Sequence, residues 1–198
     1  MIKALKQLGG SALVALRCTS MLLLAIWLAA LMNYLVVYEF NFHGILPRQV
    51  ASLPGILFWP FLHGGFVHLA MNTTPLFVLG FLVGLRGPKL FILLSLFIVL
   101  VAGLAVWLFG RSAYHIGASG LVFGYFGFLI AVAWHEKHWS AILVAALVLF
   151  FYGGLIFGVL PRDAFVSFEG HLFGLLAGMF GASIFAKRKN QYIKNIRT

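Results

Sequence analysis

Six stretches of the chain, 18–37, 65–85, 90–110, 116–134, 140–160 and 165–186, run for about 20 residues each with Glu169 as their single charged side chain. A helix rising about 1.5 Å per residue crosses a hydrocarbon core of roughly 30 Å in that length. Backbone N–H and C=O groups in hydrocarbon find no water, so a spanning segment must satisfy them internally, as a helix. The sequence therefore predicts an all-α, polytopic membrane protein: one six-helix transmembrane domain over 1–198, ending in a basic tail at 187–198. At 63% hydrophobic and 9% charged residues, the chain lacks the polar surface to enclose a soluble core. No A-x-A-like cleavage site follows the first run, which is read as a retained helix. The lone cysteine, Cys18, excludes an internal disulfide and a multi-cysteine metal site.

An even number of spans puts both termini on one side of the membrane. Eleven of the 14 Lys and Arg residues fall on that side, with Arg48, Arg111 and Arg162 on the other. Because Lys and Arg collect in cytoplasmic loops, the termini are predicted to be cytoplasmic. The net charge of +10 is then largely topological, and the basic tail is read as meeting anionic lipid head groups rather than nucleic acid. Connections between spans are short apart from 38–64. Its Phe58-Trp59-Pro60-Phe61 cluster reads either as an interfacial anchor or as a loop dipping into the bilayer edge.

Polar groups of three spans fall at one depth on the outer side. Ser119 is expected about three residues, or roughly 5 Å, below the outer end of the fourth span. His171 lies a few residues into the sixth, and His63, His68 and Asn72 lie around the outer end of the second. Such groups are costly in hydrocarbon and mark a bundle interior or a wet cavity. Gly170, Gly174 and Gly178 form a small-residue stripe beside His171, and Ser119, Gly120, Phe123 and Gly127 share an arc of the fourth span. Small stripes let helix backbones approach closely, as a serine and a histidine on separate helices require if they are to meet. A serine hydroxyl becomes nucleophilic when a neutral imidazole takes its proton, which casts Ser119 as candidate nucleophile and His171 as candidate base. The resulting oxyanion needs donors, and the Asn72 amide, a His68 ring N–H and the Ser119 backbone N–H are the candidates. Glu169, two residues before His171, points about 200° away and is read as a carboxylate at a helix N-terminus. His115 is read as an interfacial loop residue, and His135 and His138 as solvated. His63 and His68, five apart, make a poor pair of metal ligands and no HExxH is present, so neither a metal nor a cofactor is expected.

In order along the chain, three motifs make it resemble the rhomboid intramembrane serine proteases over nearly its whole length. They are His63-x4-His68-x3-Asn72, Gly117-Ala118-Ser119-Gly120 with Gly124 and Gly127, and Gly170-His171-x2-Gly174-x3-Gly178. The resemblance implies a six-helix core with cytoplasmic ends in a bacterial plasma membrane and an active site open to the outer side. It implies Ser119 as nucleophile, His171 as general base, and His68 with Asn72 at the oxyanion. The substrate it implies is itself a transmembrane protein, cut at a small residue near the outer end of its helix. Two positions depart from the family pattern. Phe123 stands where many members have a tyrosine stacked on the histidine, and Trp59-Pro60 stands where many bacterial members have Trp-Arg. A non-catalytic alternative is a rhomboid-like pseudoprotease that binds transmembrane helices or, on the same polar cavity, a small transporter.

Overall fold

The computed structural model describes residues 2–161 and 166–186, with side chains from Gly9 onward. Expectations for Arg162, for the Lys3 and Lys6 side chains and for the basic tail 187–198 lie outside the described residues. Among the described residues seven α-helices follow one another: α1 (Ile2–Leu35), the one-turn α2 (Gly55–Phe58), α3 (Phe66–Gly84), α4 (Pro88–Phe109), α5 (Ser119–Glu136), α6 (Trp139–Tyr152) and α7 (Phe168–Phe185). Six helical stretches, those of α1 and α3 to α7, are long and apolar enough to cross a membrane, α6 together with the 3-10 segment Gly153–Val159 that continues it. Among the described residues the only strand-like pairing is a single antiparallel bridge between Ile45 and His115.

Helix ends depart from the apolar runs for local reasons. α1 begins far ahead of residue 18, because Arg17 bounds an apolar run without interrupting a helix. α5 begins at Ser119 itself rather than at residue 116, since Gly117 adopts φ +118°, a conformation no helix tolerates and side chains rarely adopt. Ser119 is therefore the first residue of its helix and not one turn inside it. α7 begins after Ser167, whose hydroxyl accepts the Gly170 N–H at 3.0 Å and so satisfies one of the orphan donors of the first turn.

α5 is the central helix, with 72% of its spanning window buried against at most 50% for any other. Its largest interface is with α7. There Gly174 lies against the Gly120 backbone, Gly178 against the Gly124 backbone, and Gly127 against the Leu175 carbonyl, so that a methyl group at any of them would overlap main-chain atoms. α1 packs along α3 in the same manner, with Gly84 against the Ala15 backbone and Gly80 against Thr19. At the far end of α5 from Ser119, Arg86 pairs with the buried Glu136 and lies over the Phe128 ring.

The 38–64 connection is built of helical turns and lies across the end of the bundle where α5 begins. Arg48 ties it there, donating to the Leu108 and Gly110 carbonyls at the end of α4 (3.3 and 2.8 Å). For Trp59 the reading as an interfacial anchor is corrected. Its indole is 1% exposed and fills slots left by glycines on three helices, Gly103, Gly120 and Gly170. Of that cluster Phe58 keeps an outward position, being about half exposed.

Candidate active site

The turn before Ser119 is fixed from both sides. The Gly117 N–H donates to the Trp59 carbonyl at 2.8 Å, and the Ala118 N–H donates to His63 Nε2 at 3.3 Å. Burial and the neighbouring His68 push the pKa of His63 down to about 4, while the nearby Phe61 carbonyl pulls the other way. That carbonyl does not reach hydrogen-bond geometry with Nδ1. His63 is thus neutral and serves as the acceptor that holds the serine turn. The His68 ring lies over Gly117, within 2.8 Å of where a β-carbon there would sit, so position 117 requires glycine for space as well as for its backbone angle.

Ser119 opens α5, so its own N–H and that of Gly120 have no intrahelical carbonyl to bond, whereas the Leu121 and Val122 N–H groups reach the Ala118 carbonyl. Asn72 spends one amide hydrogen on the His68 carbonyl at 3.0 Å and turns the rest of its side chain to the same cavity. The candidate oxyanion donors therefore come from two elements, the helix start and one face of α3.

His171 sits in the first turn of α7, its ring stacked on Phe123 of α5 with centroids 4.1 Å apart and planes 7° from parallel. Its Nδ1 lies 2.8 Å from the Gly158 carbonyl. A carbonyl can only accept, so Nδ1 carries the proton and Nε2 keeps a lone pair, the state a general base requires. Phe123 thus stacks without a hydroxyl, and a backbone carbonyl orients the imidazole. Gly158 cannot be enlarged in place, because a β-carbon would stand 2.6 Å from Phe123 Cζ and 3.2 Å from His171 Nδ1.

Ser119, His171, His68, Asn72 and Phe123 line one cavity of about 960 Å³. Among the described residues no hydrogen bond joins the Ser119 hydroxyl to His171. One wall of the cavity is α3 at Phe66, Met71 and Pro75, and the other is the 3-10 segment at Gly154, Leu155 and Gly158. α3 and the 3-10 segment thus face one another across the cavity, and α3 makes no extensive interface with α6. Gly120, Gly124, Gly127, Gly174 and Gly178 lie in the α5–α7 interface beneath it, and Gly170 lies against Trp59.

Glu169 has the place read for it, a carboxylate in the first turn of α7, where it accepts the Arg111 N–H at 3.2 Å and lies 3.8 Å from the Arg111 guanidinium. His115 is not an interfacial residue: it is 1% exposed, and burial lowers its pKa. It bonds Ser167 through Nδ1 and the Arg111 carbonyl through Nε2. Sequence reasoning missed Gly158, Ser167 and the buried role of Trp59. Ser167, three residues before Gly170, carried a legible capping signal, while a backbone carbonyl carries none.

A family model for the rhomboid domain matches residues 50–188. An uncharacterized protein of Mycobacterium tuberculosis strain H37Rv is 36% identical over 180 residues, covering 85% of this chain and 75% of that protein. One from Mycobacterium leprae is 36% identical over 185 residues, covering 87% and 73%. RHOMBOID-like protein 4 of Arabidopsis thaliana is 34% identical over 125 residues, covering 59% of this chain and 31% of that protein. With six apolar membrane-length helices and a family match over most of its length, the chain is an integral membrane protein that belongs to the rhomboid family.

Proposed function

We propose that the protein is an intramembrane serine endopeptidase that cleaves transmembrane proteins within or near the outer end of their membrane helix. The observation that carries this reading is the fixed imidazole. His171 is held by the Gly158 carbonyl and the Phe123 ring, with a free Nε2 lone pair, in the cavity that the Ser119 hydroxyl lines.

The reaction follows from these groups. Ser119 Oγ adds to a substrate carbonyl as its proton passes to His171 Nε2. The Ser119 N–H, Asn72 and His68 receive the negative charge that develops on the carbonyl oxygen. Collapse of the tetrahedral species breaks the C–N bond, and His171 returns the proton to the leaving amine. A water then gives its proton to His171 and attacks the acyl-enzyme ester, and His171 passes that proton to Ser119 Oγ as the ester C–O bond breaks and the new carboxyl group leaves. In this reading a substrate segment reaches the cavity between α3 and the 3-10 segment, the two elements that line its sides. It must unwind locally to present its carbonyl, which favours helix-weakening residues near the cut. Arg17, Arg86, Lys89 and Lys137 at the end away from Ser119 support cytoplasmic termini and a site open to the outer side. The mycobacterial relatives support a bacterial plasma membrane.

The competing reading is a pseudoprotease that binds transmembrane helices without cutting them. It draws on the missing hydrogen bond between Ser119 and His171 among the described residues, although such bonds are often long before substrate binds. A serine-reactive fluorophosphonate separates the two. Labelling that Ser119→Ala removes, with cleavage abolished in Ser119→Ala and in His171→Ala while both stay folded, is the outcome expected of the protease. An intact, folded protein that takes no label is the outcome expected of the binder.

A further inference from the structure

We propose that His115 and Ser167 are positioning residues, a half-buried side-chain bridge at the edge of the cavity that sets the distance between the turn carrying Ser119 and the helix end carrying His171. The inference rests on the reading of Ser119 and His171 as nucleophile and base.

Each member of the bridge stands four residues ahead of one member of the dyad, Ser167 by one helical turn and His115 across the non-helical turn at Gly117. His115 is four residues before Ser119. Ser167 is four before His171, and the Ser167 carbonyl accepts the His171 N–H at 3.2 Å. Between them, His115 Nδ1 and Ser167 Oγ lie 2.6 Å apart. Proton accounting leaves one arrangement. The Arg111 carbonyl, 3.1 Å from His115 Nε2, can only accept, so Nε2 carries the hydrogen. Nδ1 is then an acceptor and takes the Ser167 hydroxyl proton. The Ser167 oxygen in turn accepts the Gly170 N–H that it caps, so each polar atom of the bridge has a partner.

The bridge is anchored on both sides. The His115 backbone exchanges two hydrogen bonds with Ile45, at 2.8 and 3.1 Å, which fixes it to the 38–64 connection. Arg111 fastens the same two segments again, donating to the Val166 carbonyl at 2.7 Å and lying over the Phe168 ring. His115 is 1% exposed, which shields its ring bonds, while Ser167 is half-buried at the cavity edge. An ion pair at 3.8 Å and a ring contact tolerate drift, whereas a hydrogen-bond chain in which each polar atom has its partner narrows the geometry. The α5–α7 glycine interface fixes how near the two helices lie. The bridge fixes how their first turns meet, and in that pair of turns the two reacting atoms lie.

The full-length chain in detergent micelles provides the test, through the fluorophosphonate labelling rate of Ser119, cleavage kinetics on a transmembrane substrate, and thermal unfolding. Ser167→Ala deletes one oxygen, and His115→Phe keeps the Ser167 cap while deleting the bridge. Both are expected to slow labelling and lower kcat by about 10- to 100-fold with little change in KM, since a misplacement near 1 Å costs about that much. Ser167→Thr keeps the hydroxyl and the cap, and is expected to restore rates to within about 3-fold of the wild type. The double variant is expected to be no slower than the worse single one, as for two residues acting through one bond. Wild-type labelling rates in the folded fractions of Ser167→Ala and His115→Phe overturn the proposal even if both melt earlier, because the bridge would then be structural only. A wild-type protein that takes no label overturns the protease reading and this one with it. Label found on Ser167 and lost in Ser167→Ala overturns it differently, by making Ser167 the nucleophile.

Discussion

Replacing Gly178 by alanine sets two known effects against each other, and the structure decides between them. In an exposed helix interior the change gains roughly 0.5–1 kcal/mol of helix propensity. At Gly178 the added methyl carbon would stand 2.6 Å from Gly124 C and 2.9 Å from its Cα, closer still to the carbonyl oxygen, and a backbone cannot rotate aside. Restoring an ordinary carbon–carbon contact requires α5 and α7 to separate by about 1 Å. Overpacking of this kind costs about 1–3 kcal/mol, which exceeds the propensity gain. Gly178 lies about 10 Å along α7 from His171, so a rigid shift carries most of that 1 Å to the proposed pair of Ser119 and His171, where it is expected to cost about 100-fold in rate. Gly10→Ala in α1 is the control, since nothing lies within 4 Å of its added carbon, and it is expected to be neutral or to raise the melting temperature. Thermal unfolding in micelles and single-turnover cleavage read both effects. A Gly178→Ala protein as stable and as fast as Gly10→Ala would refute the claim that main-chain contact between α5 and α7 sets the geometry of the site.

Two further outcomes follow from single side chains. Phe123→Ala removes the ring stacked on His171, a contact worth about 0.5–1.5 kcal/mol, and is expected to lower kcat by roughly 2- to 10-fold with KM little changed, measured by steady-state cleavage. His63 has a folded pKa of about 4 against an ordinary 6.5, so as pH falls through this range the unfolded chain takes the proton first. Stability from this group is complete above pH 6.5 and is lost towards pH 4, by about 3 kcal/mol in all. Melting curves across that window should be less steep with pH in His63→Gln than in the wild type, and equal slopes would rule out His63 as the titrating group.

The sequence made the six spans legible because hydrophobic length reports membrane crossing almost directly, and it made the α7 stripe legible because spacing of four residues reports a helix face. Hydropathy says nothing of backbone angle, which is why α5 was placed three residues early; the break lies in Gly117, a small apolar residue like its neighbours. Glycines at 103, 120 and 170 each suit close packing, yet nothing in the sequence says that their slots face one another around a single indole. His115 and Ser167 are 52 positions apart, and a histidine before a helix looks the same whether it meets water or a serine hydroxyl. Gly158 acts through its carbonyl, a group that every residue has, so its part in orienting His171 could come only from three-dimensional placement.

Trp59 has a consequence for how the protein comes apart. One rigid ring touches α4, α5 and α7 at once and is carried by the connection that also holds the turn before Ser119. No two of these helices can loosen at this end while the third pair stays closed, because any gap wide enough to free one edge of the indole uncovers the other two. Local opening at the site end of the bundle is therefore expected to involve all three helices together.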